Sequence, residues 1–192
     1  MLTKFNTYIP NIDYVAMKEL CLSRGKTIQF RKGDFFVKAG EVSHYIGYVE
    51  SGIFRYSVFN ATERKSYNIG FTFKDEFIAD YPGCIYGMPS KTDIQALKAS
   101  IVHICKAEDL AELYEETADK YKLARINAEQ LFLQTWSRYV EMYSLSPEER
   151  YKKLLNKCPD ILQEIPLKEI ASYLKITPTH MSRIRKKLLN DK

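Results

Sequence analysis

No apolar run in this chain approaches the length of a bilayer's hydrocarbon core, which argues against a membrane-spanning helix. No apolar stretch follows Met1 either, so a soluble, cytoplasmic protein is expected. Histidine is scarce: the three residues, His44, His103 and His180, are scattered. The four cysteines at 21, 84, 105 and 158 form no CxxC pair, the clustering that zinc and iron–sulfur sites need. They read as ordinary packing residues, and no metal, haem or other cofactor is expected. His103 sits among apolar residues and reads as a hydrogen-bonded core histidine. The chain also lacks Gly-x-Ser-x-Gly and a phosphate-cradling P-loop. A small β-barrel raises the alternative of a cupin-like metal enzyme. That chemistry needs a second histidine two residues beyond His44, where Ile46 stands. The protein is not expected to be an enzyme.

What is present is charge at one end. The net charge is +5, yet residues 151–192 hold ten Lys/Arg against four Asp/Glu, and residues 1–150 hold nineteen against twenty. A positive charge confined to one segment points to a polyanionic partner. That segment contains Leu167 to Leu188, LKEIASYLKITPTHMSRIRKKL. Ile170 and Leu174 share one face of a first helix, and Met181, Ile184 and Leu188 share one face of a second. Between them Thr177 can cap the second helix, and Pro178 takes its first position, where a missing N–H is harmless. Ala171 is small where two helices would cross. Lys175 stands where such a turn often carries glycine. The pattern is a helix-turn-helix whose second helix offers polar and basic residues to duplex DNA. Thr179, His180, Ser182 and Arg183, near its start, are candidates for base edges. Lys168, Arg185, Lys186 and Lys187 are candidates for phosphates.

Upstream, residues 12–22 suggest a short helix closed by Gly25. From about Lys26 to Ile104 the period becomes that of strands: 27–30, 44–49, 53–59, 63–73 and a long strand over 93–104, with turns at Lys32-Gly33-Asp34 and Glu50-Ser51-Gly52. This spacing suggests a barrel or roll. Glu108–Tyr114 reads as a short helix. About Thr117 to Tyr143, free of Gly and Pro, reads as one long helix. It carries two apolar stripes, one of Tyr121, Ala124, Ala128, Leu131, Thr135 and Met142, the other of Leu123, Phe132, Trp136, Tyr139, Val140 and Tyr143. One side is expected to cover the roll and the other to meet the same helix of a second subunit; Tyr121, Ala124, Ala128, Leu131 and Thr135 are assigned to the dimer contact. Ser146-Pro147-Glu148-Glu149 opens a further helix that ends near Cys158-Pro159. The fold class is therefore α+β, with segments 1–116 (roll), 117–145 (dimerisation helix and hinge) and 146–192 (helix-turn-helix).

This order resembles the Crp/Fnr family of transcription regulators over essentially the whole chain. Phe30-x-Lys32-Gly33-Asp34-x5-Gly40 resembles the early strand and turn of cyclic-nucleotide-binding rolls. Tyr48-Val49-x-x-Gly52-x-x-Arg55 resembles the next hairpin, and Asp75-Glu76-Phe77-Ile78-Ala79-Asp80-Tyr81 the lead into a phosphate-binding cassette. The resemblance implies a double-stranded β-helix or jelly-roll-like sensor, a winged-helix-type DNA-binding domain, a homodimer and a roughly palindromic site. It also implies that Arg183 holds a base-contacting position. The family's cAMP-binding members carry Gly-Glu and an Arg, where this chain has Ala79-Asp80 and, near the Arg position, Lys91-Thr92. Lysine lacks the two-pronged guanidinium grip on a phosphate, so cAMP is not the expected ligand. Asp80, Tyr81, Lys91 and Thr92 remain a candidate pocket for another small effector. The alternatives are that Lys91 is a plain surface lysine and the roll a ligand-free scaffold. RNA polymerase is a further candidate partner, for which the sequence offers no legible patch.

Overall fold

A computed structural model describes residues 5–190. Helix α1 (Val15–Ser23) precedes eight strands: β1 (Lys26–Phe30), β2 (Phe35–Val37), β3 (Tyr45–Ser51), β4 (Ile53–Asn60), β5 (Lys65–Phe73), β6 (Phe77–Ala79), β7 (Asp93–Ala96) and β8 (Ser100–Lys106), with α2 (Tyr81–Tyr86) between β6 and β7. Then follow α3 (Ala107–Glu115), α4 (Ala118–Ser144), α5 (Pro147–Lys157), α6 (Ile161–Glu164), α7 (Leu167–Tyr173) and α8 (Pro178–Asn190). The strands form two antiparallel sheets, in the orders β1-β8-β3-β6 and β2-β7-β4-β5. Val49, Ile78 and Val102 of one sheet meet Phe54, Ile94 and Ala96 of the other in a closed apolar interior.

The single strand expected over 93–104 is two strands in different sheets. The chain crosses between them at Leu97–Ala99, and the Leu97 N–H bonds the Ile53 carbonyl (2.8 Å) at the corner. Gly52 makes the facing corner possible. Its φ is +104°, and a Cβ there would lie 1.9 Å from the Ser100 Oγ. The short strands β2 and β6 and the six-residue α2 escaped the sequence reading, being too brief to show a period.

The expected wing is absent among the described residues. No strand follows Lys106, and the C-terminal part is helical throughout. The connection from α5 to α7 contains Pro159 and Pro166, which cannot donate to a ladder, and holds only the single turn α6.

Nor does the boundary expected near Leu145 separate two cores. Phe5, Ile53, Phe71 and Phe73 share one cluster with Ile165, Ile170, Ala171, Met181 and Ile184. Polar bonds lock the junction. Glu169 on α7, 7% exposed, lies 2.7 Å from the Arg55 guanidinium of β4. It also accepts from the Asn68 amide of β5 (2.8 Å), which reaches the Glu169 carbonyl as well (3.0 Å). The Ser172 hydroxyl oxygen accepts from the Asn68 backbone N–H (3.0 Å). Burial alone would raise the Glu169 carboxyl; Asn68 and Arg55 more than offset this and hold it below the ordinary carboxylate range.

Helix α4 departs from expectation in which face it turns inward. Beyond the half-buried Leu123, Ala124 and Ile126, the face toward its own chain is polar: Asn127, Gln130, Gln134 and Arg138. Asn127 bonds the Tyr114 hydroxyl (2.7 Å), and the others serve residues 5–9, a stretch of turns and bends laid between α4 and the roll without a strand ladder. Its backbone groups need side-chain partners. The Gln130 Oε1 accepts from the Tyr8 and Ile9 N–H groups (3.1 and 2.6 Å), and its amide donates to the Asn6 carbonyl. The Asn6 amide donates to Glu76 (2.6 Å) and to the Phe71 carbonyl (2.8 Å).

Replacing Glu169 by Ala strands the Arg55 charge and the Asn68 donor at a buried contact. We expect a loss of about 2 kcal/mol in urea unfolding. A loss below about 0.5 kcal/mol would mean the junction does not depend on this clamp.

Candidate nucleic-acid interface

The positively charged end of the molecule is built on α7 and α8. Ile170, Ala171, Leu174, Ile176, Met181 and Ile184 are buried and hold the two helices together. The turn between them bends through Lys175, whose φ is +56°, the left-handed geometry for which glycine is usual. Its N–H bonds the Ser172 carbonyl (3.0 Å), and the Ile176 N–H bonds the Ala171 carbonyl (3.0 Å), so the reversal satisfies two carbonyls at the end of α7. The Thr177 hydroxyl then accepts from the His180 N–H (3.1 Å), the N-cap expected from Thr177-Pro178.

All eight candidate DNA-contacting residues are exposed: Lys168 on α7 and Thr179, His180, Ser182, Arg183, Arg185, Lys186 and Lys187 on α8. They are not equivalent. At 100° per residue, Thr179, Arg183 and Lys186 form the spine directly opposite Met181 and Ile184. His180 and Lys187 flank it on one side and Ser182 on the other. The Ser182 hydroxyl donates back to the Pro178 carbonyl (3.0 Å), leaving its oxygen as an acceptor. Lys187 pairs with Glu148 (2.8 Å), which also pairs with Lys152 (2.8 Å). Lys152 and Lys187 together hold the Glu148 carboxyl down at about 2. Arg185 turns toward α5, where it faces the Tyr151 hydroxyl. Arg183 and Lys186 take part in no ion pair among the described residues.

The candidate effector residues are not gathered into one site. Asp80 is buried beside α2 with one carboxylate oxygen lacking a partner, and burial raises its pKa. Lys91 is exposed, and Thr92 bonds its neighbour Ser90 instead (2.8 Å). Tyr81 alone of the four lines the large cleft of the molecule, about 1180 Å³, which runs between the roll and α4 toward α5 and α7. Glu76 sits in that cleft, accepting from Asn6 and from the Phe73 N–H (2.9 Å). Burial pushes its carboxyl up to about 7, against the pull of these donors and of Arg138 and Lys157. Among the described residues no group of three His, Cys, Asp or Glu converges. His103 bonds Thr27 (3.0 Å) and Glu50 (2.6 Å). Cys21 and Cys105, far apart in sequence, meet with their sulfurs 3.4 Å apart.

Because the folded protein binds a proton at Glu76 more tightly than the unfolded chain, this group makes stability fall as pH rises from 4.5 to about 7. Glu76→Gln keeps the acceptor for Asn6 and removes the charge. Thermal unfolding across that range is expected to show a flatter profile than the parent; an identical slope would show that Glu76 titrates normally.

No family model and no curated protein matches the sequence. Solved structures do match the fold. FixK2 from Bradyrhizobium japonicum superposes with a TM-score of 0.72 at 16% identity, covering 87% of this chain and 85% of FixK2. A CooA mutant from Carboxydothermus hydrogenoformans gives 0.73 at 13% identity, covering 98% and 88%. A protein from Eubacterium rectale, assigned to the Crp/Fnr family of transcriptional regulators, gives 0.64 at 17% identity, covering 96% and 88%. At such identities the likeness is one of architecture, and in architecture this chain has the Crp/Fnr fold: antiparallel roll, long helix and C-terminal helix-turn-helix.

Proposed function

We propose that the protein is a homodimeric, sequence-specific DNA-binding transcription regulator of the Crp/Fnr type. The observation that carries the reading is the free spine of α8. Thr179, Arg183 and Lys186 project from a helix whose opposite face is sealed into the core, at the one strongly basic end of the chain. The fold shared with a protein assigned to the Crp/Fnr transcriptional regulators supports it. Arg183 pairs with guanine O6 and N7, the commonest specific contact in a major groove, with Thr179 and His180 beside it. Lys168 and Lys186 meet phosphates. Lys187 and Arg185 reach phosphates by leaving Glu148 and Tyr151.

The dimer is supported by α4. Tyr121, Ala128, Leu131 and Thr135 are exposed, and Ala124 half-buried. Beside them runs a ladder of rings, Phe132, Trp136, Tyr139 and Tyr143, with successive centroids 6.2, 6.1 and 4.9 Å apart. Trp136 is 53% and Tyr143 78% exposed. An apolar face of this extent is a contact surface in a monomer. A second copy of α4 across a two-fold axis covers it and sets two α8 helices for neighbouring major grooves, about 34 Å apart.

Arg183→Ala is expected to cost about 1–3 kcal/mol of specific DNA affinity and to relax choice at one base pair, whereas Lys186→Ala weakens all sequences alike and flattens the salt slope by about one unit. Competition between specific and random duplexes reads Arg183→Ala, and the salt dependence of affinity reads Lys186→Ala; unchanged competition in the first or an unchanged salt slope in the second contradicts the assignment. For the dimer, Trp136 is the only tryptophan, so its emission reports burial of the ladder. Diluting the protein is expected to red-shift that emission as subunits part, and Phe132→Asp to weaken self-association by at least about tenfold in sedimentation equilibrium. Parent and variant with the same association constant would place the interface elsewhere.

A further inference from the structure

The far end of the cleft carries three cations, Arg138 of α4 and Arg150 and Lys157 of α5, that form no ion pair among the described residues. The Arg138 guanidinium rests 4.5 Å from the Phe5 ring centroid and donates to Asn6 (2.9 Å), but its Nε is buried with no acceptor. Arg150 caps the end of α4, bonding the Leu145 carbonyl (2.8 Å), and bonds the Leu174 carbonyl (2.8 Å); its Nε too is buried and unpaired. The Lys157 ammonium lies 3.3 Å from the Tyr8 ring centroid. Burial, then Arg138, bring its pKa down to about 8. The nearby acids do little to balance this. Glu141 is taken by Lys153 (2.7 Å), and Glu76 is half-neutral near pH 7. Partly buried cations left in this state are costly, and an anion that accepts from them removes the cost. The rest of the cleft wall is largely apolar, with Phe77 and Ala79 of β6, Ile85 of α2 and Leu110 of α3.

We propose that this cleft binds an amphipathic organic anion. Its carboxylate or phosphate head lies against Arg138 and Lys157, with the Arg150 Nε within the same wall. Its apolar body runs back between the roll and α4. This site is distinct from the Asp80–Lys91 set, and it touches every part of the molecule that must move together: the roll, the long helix, and α5 and α7 of the DNA-binding part. The inference stands on the cleft alone and survives a failure of the DNA-binding reading, because binding is measured without DNA.

The test is calorimetric titration of the full chain with decanoate and decyl phosphate, kept below micelle formation, and with decyltrimethylammonium as the cationic control. Lys157→Met and Arg138→Met are compared with the parent. Lys157→Met removes a charge that burial already disfavours, so it keeps the fold; thermal unfolding verifies this for both variants. Saturable binding of either anion, one per chain, is expected, at least tenfold weaker in both variants, with none of the cation. Which head group binds identifies the class of ligand. No saturable binding of either anion, equal binding of the cation, or undiminished binding in folded Lys157→Met overturns the site.

Discussion

One buried carboxylate governs how the two ends of this molecule meet. Glu169 lies on the first helix of the helix-turn-helix, yet its partners, Arg55 and Asn68, belong to the roll. A carboxylate withdrawn from water is tolerated only when its lone pairs are filled by donors held in place. Here the donors come from adjacent strands of one sheet, on either side of a register shift between Tyr56 and Ser57. The clamp therefore fixes α7 on β5, the turn at Lys175 fixes α8 on α7, and the orientation of the basic spine follows from the roll's own geometry. The aromatic cluster of Phe5, Phe71, Phe73 and Tyr173 seals the same junction from the apolar side.

The second constraint is the irregular segment 5–9. It occupies the place where an apolar stripe of α4 was expected to pack on the roll. Because its peptide groups have no strand to pair with, Gln130 of α4 bonds them, while Gln134 and Arg138 bond the Asn6 side chain. The apolar stripes are displaced outward, and this is why the helix presents so wide an exposed aromatic surface. The polar inner face and the apolar outer face thus have a single cause. The same segment also props open the cleft in which Arg138 and Lys157 stand unpaired.

The sequence was legible where one local period or one local chemistry decides the structure. Pro147 and Pro178, each preceded by a hydroxyl residue, marked two helix starts, and the capping bonds of Ser146 and Thr177 lie where expected. Gly52 marked a corner. The Gly- and Pro-free run ending at Tyr143 marked α4, which closes at Ser144. What was illegible depends on residues distant in the chain. Glu169 looked like an ordinary acid in a first turn, and Asn68 like a polar strand residue; neither carries a local sign of the other, 101 positions away. Cys21 and Cys105 likewise meet only through the packing of α1 on β8. The 93–104 stretch misled because Ile94 and Ala96 share a phase with Val102 and Ile104, although the phase breaks at Ala96-Leu97, where the chain changes sheet. Arg185 and Lys187 read as phosphate-facing cations on the pattern of one helix, and α5 supplies partners, Tyr151 and Glu148, that this pattern could not show.

The central claim is that two copies of α8, held by the roll and paired through α4, read duplex DNA together. Selection of bound duplexes from a random pool by the purified protein measures this directly. The account predicts an enriched inverted repeat whose half-sites are centred about one helical turn apart, with guanine at a fixed position in each. A pool that stays random after repeated rounds, or that converges on one isolated half-site, would contradict it.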